Sequence, residues 1–513
     1  MRTSNSVKNS ITSAISYIIA IVIGLVAQAL FIKILGAEYL GINGLFSNIL
    51  TMLSIFDLGI GSAIVYNLYK PIAKNNIEEI KSLMLFYKKA YNLIALLIFL
   101  VGVVVIPFLP KIVGEISSDV NLYFVYILFL INTVSSYLMT YKRSLIIANQ
   151  KNYIVNIVHI VYLLVINITR LILLYLTKDY YIYLGLTIVG QLLENFVITL
   201  IANRIYPFLL DKNVKPLNKK IEKDIFSKVK ALIFHKIGSV IINGTDNVII
   251  SYFLGVATVG LYSSYTLIIN PITNLFGQII SSTAASVGNL LVSEDDKKIY
   301  EVFKKIRFLN FWLACFSGIC LLVILQPFIE LWIGKEYLLS MFVVVTIVFN
   351  YFQKMMRNTY NIFKDSAGIW REDKFVPLFE SFLNIVFSIV LLKIFGLAGV
   401  FMGTIISGLA LWCYSYPRFV YKKLFNRDYS KYAKETLGYI LLFVVLSIVT
   451  YQVSILFIFK NLFLKFIVNT IIALVLPNLI LFIWFRKTDN FKYFEKMVMN
   501  FLKKIKRKIS HQV

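Results

Sequence analysis

Apolar and polar positions fall into long blocks along this chain, not into short alternations. Runs of roughly twenty apolar residues, the length that crosses a bilayer core, recur from the first dozen residues to about 485. They predict helical spans at 11–35, 43–69, 87–109, 121–147, 153–177, 181–203, 231–254, 259–287, 307–330, 338–363, 375–394, 397–420, 436–458 and 463–485. The polar stretches between them are short. The longest, 205–230, holds Pro207, Pro216 and many lysines and reads as a solvated tether. Arg2 and Lys8 precede the first span and Ala27-Gln28-Ala29 imitates a cleavage site, but the apolar region is too long for a signal peptide. The predicted fold class is an all-α polytopic membrane protein of about fourteen transmembrane helices.

One block is unlike the rest. The seventh, 231–254, carries His235, Lys236, Ser239, Asn243, Asp246 and Asn247. Lys236, Ser239, Asn243 and Asn247 recur at helical spacing and share a face, with Asp246 beside them. A charge at the bilayer centre costs at least about 2.5–3.5 kcal/mol. The stripe is therefore expected to face a cavity or a partner helix.

Composition agrees with a membrane protein: of 513 residues 59% are hydrophobic and 15% charged, with a mean hydropathy of +0.77. The net charge of +26 would suit nucleic acid only as a basic face on a soluble fold. Here the basic residues lie in short connectors. With the N-terminus inside, 39 of the 52 Lys and Arg fall on the cytoplasmic side and 7 on the other. That asymmetry predicts both termini in the cytoplasm. Cys315, Cys320 and Cys413 lie inside apolar runs without metal-ligand spacing and read as packing residues.

The chain also repeats. Leu35-Gly36 with Gly41 matches Leu254-Gly255 with Gly260 at an offset of 219, Ser62 matches Ser281, and 76–80 matches 295–299. Ile106-Pro107-Phe108 meets Gln326-Pro327-Phe328, and Leu184-Gly185 with Gly190 meets Met402-Gly403 with Gly408. Six spans per copy is an even number, so both copies enter from the same side as a parallel repeat. The expected organisation is a six-helix bundle at 1–204, the linker at 205–230, a second six-helix bundle at 231–421, two additional helices at 422–485 and a basic cytoplasmic tail at 486–513. Two such bundles can rock about a central site, which suggests transport. No loop is long enough to house a catalytic domain, so the chain reads as a non-enzyme.

Intramembrane charges point to the cargo. On the fourth span Asn132, Ser136, Thr140 and Arg143 share a face, with Lys142 next to Arg143. On the tenth, Asn350, Gln353 or Lys354, Arg357, Asn361 and Lys364 do the same. Arg170 and Lys236 add cations from the fifth and seventh spans. Arg binds phosphate with a planar fork and Lys as a point charge, so Arg143, Lys236, Arg357, Lys354, Lys142 and Arg170 are the expected ligands of an anionic headgroup such as a pyrophosphate. Lys142, Lys364 and Arg170 lie near span ends and read equally as snorkelling side chains. The acids Asp57, Asp246, Glu194 and Glu380 are candidates for Na⁺ or proton coupling, with Asp57 beside Gly59 and Gly61 as an alternative tie for loosened backbone. His159 and His235 read as packed polar groups, and no second ligand stands at metal spacing. Asn270-Pro271, Asn274 and Gln278 mark the eighth span as kinked and polar; with Asn243 and Asn247 they are expected to line a cavity.

The chain resembles the polysaccharide repeat-unit flippases (Wzx type) of the multidrug/oligosaccharidyl-lipid/polysaccharide exporter superfamily. The resemblance rests on Leu35-Gly36-Ala37-Glu38-Tyr39-Leu40-Gly41, Phe56-Asp57-Leu58-Gly59-Ile60-Gly61-Ser62-Ala63, the stretch from Gly255 to Tyr262, and Gly396-Leu397-Ala398-Gly399-Val400 with Gly403-Thr404. It implies translocation of an undecaprenyl-pyrophosphate-linked oligosaccharide to the outer leaflet of the bacterial cell membrane, for capsule or another surface polysaccharide. It also implies alternating access coupled to H⁺ or Na⁺, no other cofactor, and a monomer working beside a polysaccharide polymerase and chain-length proteins. Peptidoglycan-precursor flippases of that superfamily usually carry a charged pair in the first span, whereas 11–32 here holds no charge. A teichoic- or teichuronic-type flippase is a further variant of the same reading. The competing readings are a multidrug exporter, expected to have a more acidic cavity, and a polytopic polymerase or acyltransferase, expected to show an acid–base or nucleophilic constellation.

Overall fold

The computed structural model describes residues 2–57, 60–114, 120–211, 213–369, 372–457 and 459–510. Among them every regular element is a helix. Among the described residues thirteen helices are long and apolar enough to cross a membrane, so the chain is a multi-pass membrane protein. The remaining expected span, the tenth, is also helical, at Met341–Ser366. Lys354, Arg357 and their polar neighbours make it too polar for the apolarity that the other thirteen share.

The chain divides into two compact units, Met1–Leu267 and Ile268–Val513. This division falls later than the 205–230 linker. A physical reason is visible inside the first unit, where backbones of the helices Ala37–Leu53 and Val256–Ser281 come into direct contact at Gly41 and Gly260. That contact fastens the seventh span and the start of the eighth to the first unit.

Local structure repeats where the sequence repeats. Gly36 and Gly255 each end a helix with positive φ, +91° and +84°. A side chain would be strained in that conformation. Asn76 and Asp295, also 219 apart, each cap a helix: Asn76 accepts from the Glu79 amide at 3.2 Å and Asp295 from the Lys298 amide at 2.9 Å. The second and eighth spans, which are repeat counterparts, are both interrupted. The former passes through a 3₁₀ turn at Ser54–Asp57, and the latter breaks between Val256–Ser281 and Ala284–Ser293.

The fourth span departs from expectation. It consists of two helices, Leu122–Tyr137 and Thr140–Ala148, separated by extended Leu138 and left-handed Met139 (φ +66°). The stripe from Asn132 through Ser136 and Thr140 to Arg143 is therefore not one continuous face. Asn195 explains how the break is tolerated at membrane depth. Its Nδ2 donates to the Ser135 and Leu138 carbonyls at 3.2 and 3.3 Å, supplementing the one amide, of Leu138, that still reaches Ser135. The last segment, expected as a basic tail, is the helix Asp489–Ser510.

Candidate functional site

Each unit holds a membrane-depth arginine whose charge is met by a buried glutamate. In the first, the break at 138–139 turns Arg143 toward the helix Tyr180–Ile205, where its Nη2 donates to Glu194 Oε1 at 3.0 Å. The same Nη2 lies 3.4 Å from Asn195 Oδ1. His159 Nδ1, from Asn152–Thr177, approaches the same Glu194 oxygen at 3.1 Å. The Glu194 side chain is 3% exposed and that of Arg143 26%. A carboxylate so deeply buried requires a cationic partner, and three helices supply the cluster. Arg143 and Glu194 were expected in separate roles, as headgroup ligand and coupling acid. They form one ion pair.

In the second unit Arg357 Nη1 donates to Glu380 Oε1 at 2.7 Å, and Nη2 donates to Gln353 Oε1 at 3.3 Å. Gln353 Nε2 in turn donates to the Ile405 carbonyl at 3.0 Å. Gly408 leaves the room: a Cβ there would collide with Arg357 Nη2. In both clusters one guanidinium donor, the Nε of Arg143 and of Arg357, is buried without a hydrogen-bond partner.

The other expected ligands scatter. Lys142 is buried and donates to Asn203 Oδ1 at 2.8 Å, Lys364 pairs with Asp373, and Arg170 stacks 4.0 Å from the centre of the Tyr183 ring. All three turn to protein partners. Lys354 is on the exposed side of its helix. Lys236 lies within electrostatic range of Asp57. Asp57 takes the Gly61 amide and the Tyr91 hydroxyl, so it does tie down backbone at the interrupted second span; Gly59 lies outside the described residues. From Tyr91 a hydroxyl chain continues to Tyr87 at 3.4 Å and on to Ser144 at 3.1 Å, next to Arg143. Asp246 is in electrostatic range of Tyr262, and Asn247 is buried. The side chains of His235 and Asn243 lie outside the described ones. Asn270, Asn274 and Gln278 share the exposed face of Val256–Ser281, where Gly277 backs onto Asn358 of the tenth span.

One charged cluster was missed in the sequence. Arg307, 2% exposed, donates through Nη1 to the Tyr421 hydroxyl at 2.5 Å and to Glu435 Oε2 at 2.8 Å, and through Nη2 to Thr436 Oγ1 at 3.0 Å. Tyr300 and Tyr421 also donate to Glu435. Arg307 and Glu435 sit at the margins of the ninth and thirteenth spans, where hydropathy counts them with the connectors. The aromatic spacing around them, Tyr300, Phe303, Tyr421 and Tyr439, was the available signal.

Comparison with known proteins gives a family and a fold. The family described as Polysaccharide biosynthesis protein matches residues 6–285, more than half of the chain. No curated protein matches. Among solved structures, the lipid II flippase MurJ in an inward closed conformation superposes with a TM-score of 0.66 at 15% identity, over 93% of this chain and 98% of that one. An inward-facing multidrug resistance MATE family transporter of the MOP superfamily gives 0.59 at 12% identity, over 78% and 94%. A Vibrio cholerae MATE transporter gives 0.58 at 12% identity, over 83% and 99%. At these identities the likeness is one of fold.

Proposed function

The chain belongs to the polysaccharide biosynthesis protein family, and from that membership we propose that it is a flippase carrying an undecaprenyl-pyrophosphate-linked oligosaccharide from the cytoplasmic to the outer leaflet by alternating access. The product serves capsule or another surface polysaccharide. The observation that carries the reading is the paired arginine in each unit, Arg143 with Glu194 and Arg357 with Glu380. A guanidinium held in place by a carboxylate is charge-balanced while empty, which limits the cost of keeping it at membrane depth. It still has an unused Nε donor, and arginine forks match phosphate oxygens. Arrival of a pyrophosphate competes with the glutamate for the guanidinium. The displaced carboxylate then takes up H⁺ or Na⁺, which couples headgroup binding to an ion. Asp57, joined to the Arg143 element through Tyr91, Tyr87 and Ser144, is a second place for such an ion. In this reading the protein performs no covalent chemistry.

The experiment uses the native cells with the gene deleted and complemented. Loss of the gene is expected to deplete surface glycan and to accumulate its lipid-linked repeat unit on the inner leaflet. Arg143→Gln and Arg357→Gln are expected to reproduce that accumulation after normalisation to the membrane abundance of each variant. Normal surface glycan in the deletion strain would overturn the substrate assignment. Normal glycan in both variants would remove the arginines from the mechanism.

A further inference from the structure

The second unit contains a groove that the transport reading does not use. Its volume is about 620 Å³, and it opens between the helices Asp296–Trp332, Tyr429–Leu456 and Leu462–Phe485. One end is cationic: Lys304, Lys434 and Arg307 face it against a single carboxylate, Glu435. Arg307 is consumed by Glu435, Tyr421 and Thr436. Lys304 and Lys434 have no carboxylate partner among the described residues. The other end is apolar, running down Leu441, Leu442 and Val445, and Trp484 lines the groove beside Phe485, which packs on Phe308.

The dimensions fit a lipid. Lys434 to Val445 is eleven residues of helix, or about 16 Å at 1.5 Å per residue. Half of a bilayer core is about 15 Å. The helix Asp489–Ser510 places the cationic end at headgroup level. Its first turns dock on the ninth span through Phe491 against Trp312 and Phe494 against Phe308, at ring distances of 5.7 and 6.4 Å. From Lys492 onward it also carries exposed apolar Tyr493, Met497 and Val498 among Lys492, Lys496 and Lys503, the pattern of a helix lying in the membrane surface. Asn490 of that helix closes the cationic end of the groove.

We propose that this groove is a binding site for an anionic glycerophospholipid of the surrounding bilayer, its phosphate between Lys304 and Lys434 and an acyl chain along Leu441, Leu442, Val445 and Trp484. The lipid is a resident ligand and not the cargo. An electroneutral headgroup brings a choline cation toward the same lysines, so phosphatidylglycerol is preferred over phosphatidylcholine.

Trp484 reports on the site directly. The full chain is reconstituted in phosphatidylcholine nanodiscs containing increasing fractions of phosphatidylglycerol with brominated acyl chains, and tryptophan fluorescence is followed. Saturable quenching at a low phosphatidylglycerol fraction is expected, absent with brominated phosphatidylcholine at the same fraction. Lys304→Gln/Lys434→Gln should weaken the apparent affinity about 10- to 30-fold, as each basic residue near the surface contributes about 1 kcal/mol toward anionic lipid. Trp484→Phe, which leaves both lysines in place, should remove most of the saturable quenching. Equal quenching by the two lipids, or saturable quenching that survives Trp484→Phe, overturns the proposal. So does displacement by a polyprenyl phosphate that phosphatidylglycerol cannot reverse, which would assign the groove to the cargo.

Discussion

Gly41 and Gly260 stand 219 residues apart in the chain and meet in space. A Cβ built on Gly260 would lie 3.0 Å from the Gly41 nitrogen and run into the Ala37 carbonyl, while one built on Gly41 would run into the Val256 carbonyl. Val256 is itself 219 residues after Ala37. Each glycine's obstacle is thus the repeat counterpart of the other's. Gly44 adds to the pattern, since its Cβ would lie 2.5 Å from the Ser263 hydroxyl, and 263 is again 44 plus the same offset. The duplicated Leu-Gly motifs are conserved within the chain because they are two sides of one helix crossing that admits no side chain.

Gly41→Ala and Gly260→Ala should therefore each destabilise the protein, by about 1–3 kcal/mol as for other overpacked contacts. A thermal-stability assay on detergent-solubilised protein reads this as a lower midpoint for both. Gly185→Ala is the control. Nothing lies within 4 Å of a Cβ at that position, and alanine favours a helix over glycine by about 1 kcal/mol. Unchanged midpoints for the Gly41 and Gly260 variants would mean that the crossing is looser than described.

The Arg143–Glu194 pair permits a separation of folding from transport. Removing one member of a buried pair leaves the other uncompensated, at a cost of about 3–5 kcal/mol, whereas replacing both with apolar residues is often neutral. Glu194→Leu is expected to lower the thermal midpoint, and Arg143→Met/Glu194→Leu to recover most of it. Surface glycan should be lost in both. A double variant that is as unstable as Glu194→Leu would place the stabilisation elsewhere. One that regains glycan would make the pair purely structural.

Much of this was legible before any coordinates, for a physical reason. A bilayer demands about twenty apolar residues per span, so spans announce themselves, and the 219-residue offset of Gly36, Gly41 and Asn76 disclosed the repeat, though not that these residues end, cross and cap helices. Side-chain partnership was not legible. Periodicity puts Arg143 on a polar face but does not say that Glu194, fifty-one residues later, shares it. Neither glycine nor proline marks the break at Leu138 and Met139, because what permits it is a distant amide, Asn195. Arg307 and Glu435 escaped notice because each sits at the edge of a span and was counted among the connector charges.

The break itself can be tested through Asn195. Its amide donates to the carbonyls of Ser135, which otherwise keeps only the Leu138 amide, and of Leu138. Asn195→Asp keeps the shape and loses the donor, so it should cost at least the about 1–3 kcal/mol of an unsatisfied buried polar group. Asn195→Gln keeps the donor on a longer arm and should fall between Asn195→Asp and the unsubstituted chain. The same thermal assay ranks the three. Equal stability of Asn195→Asp would show that another donor serves the break.

Arg307 tests whether geometry or charge holds the second unit's cationic end. Its fork reaches Tyr421, Glu435 and Thr436 from two nitrogens, while the guanidinium plane lies 5.0 and 5.5 Å from the centres of the Tyr439 and Tyr360 rings. Lysine preserves the charge but offers one nitrogen, with no plane to stack. If charge alone mattered, Arg307→Lys would be silent. Because three acceptors on two helices depend on the fork, we expect Arg307→Lys to lose about 2 kcal/mol or more, in line with charge-assisted hydrogen bonds at about 1.5–3 kcal/mol each. Glu435→Gln, whose one carbonyl oxygen can still accept from Arg307 and Tyr421 while its NH2 faces the Tyr300 hydroxyl, should lose less. The order of the two thermal midpoints decides the matter: a lower value for Glu435→Gln than for Arg307→Lys would show that the ion pair, and not the fork, fastens the thirteenth span to the ninth.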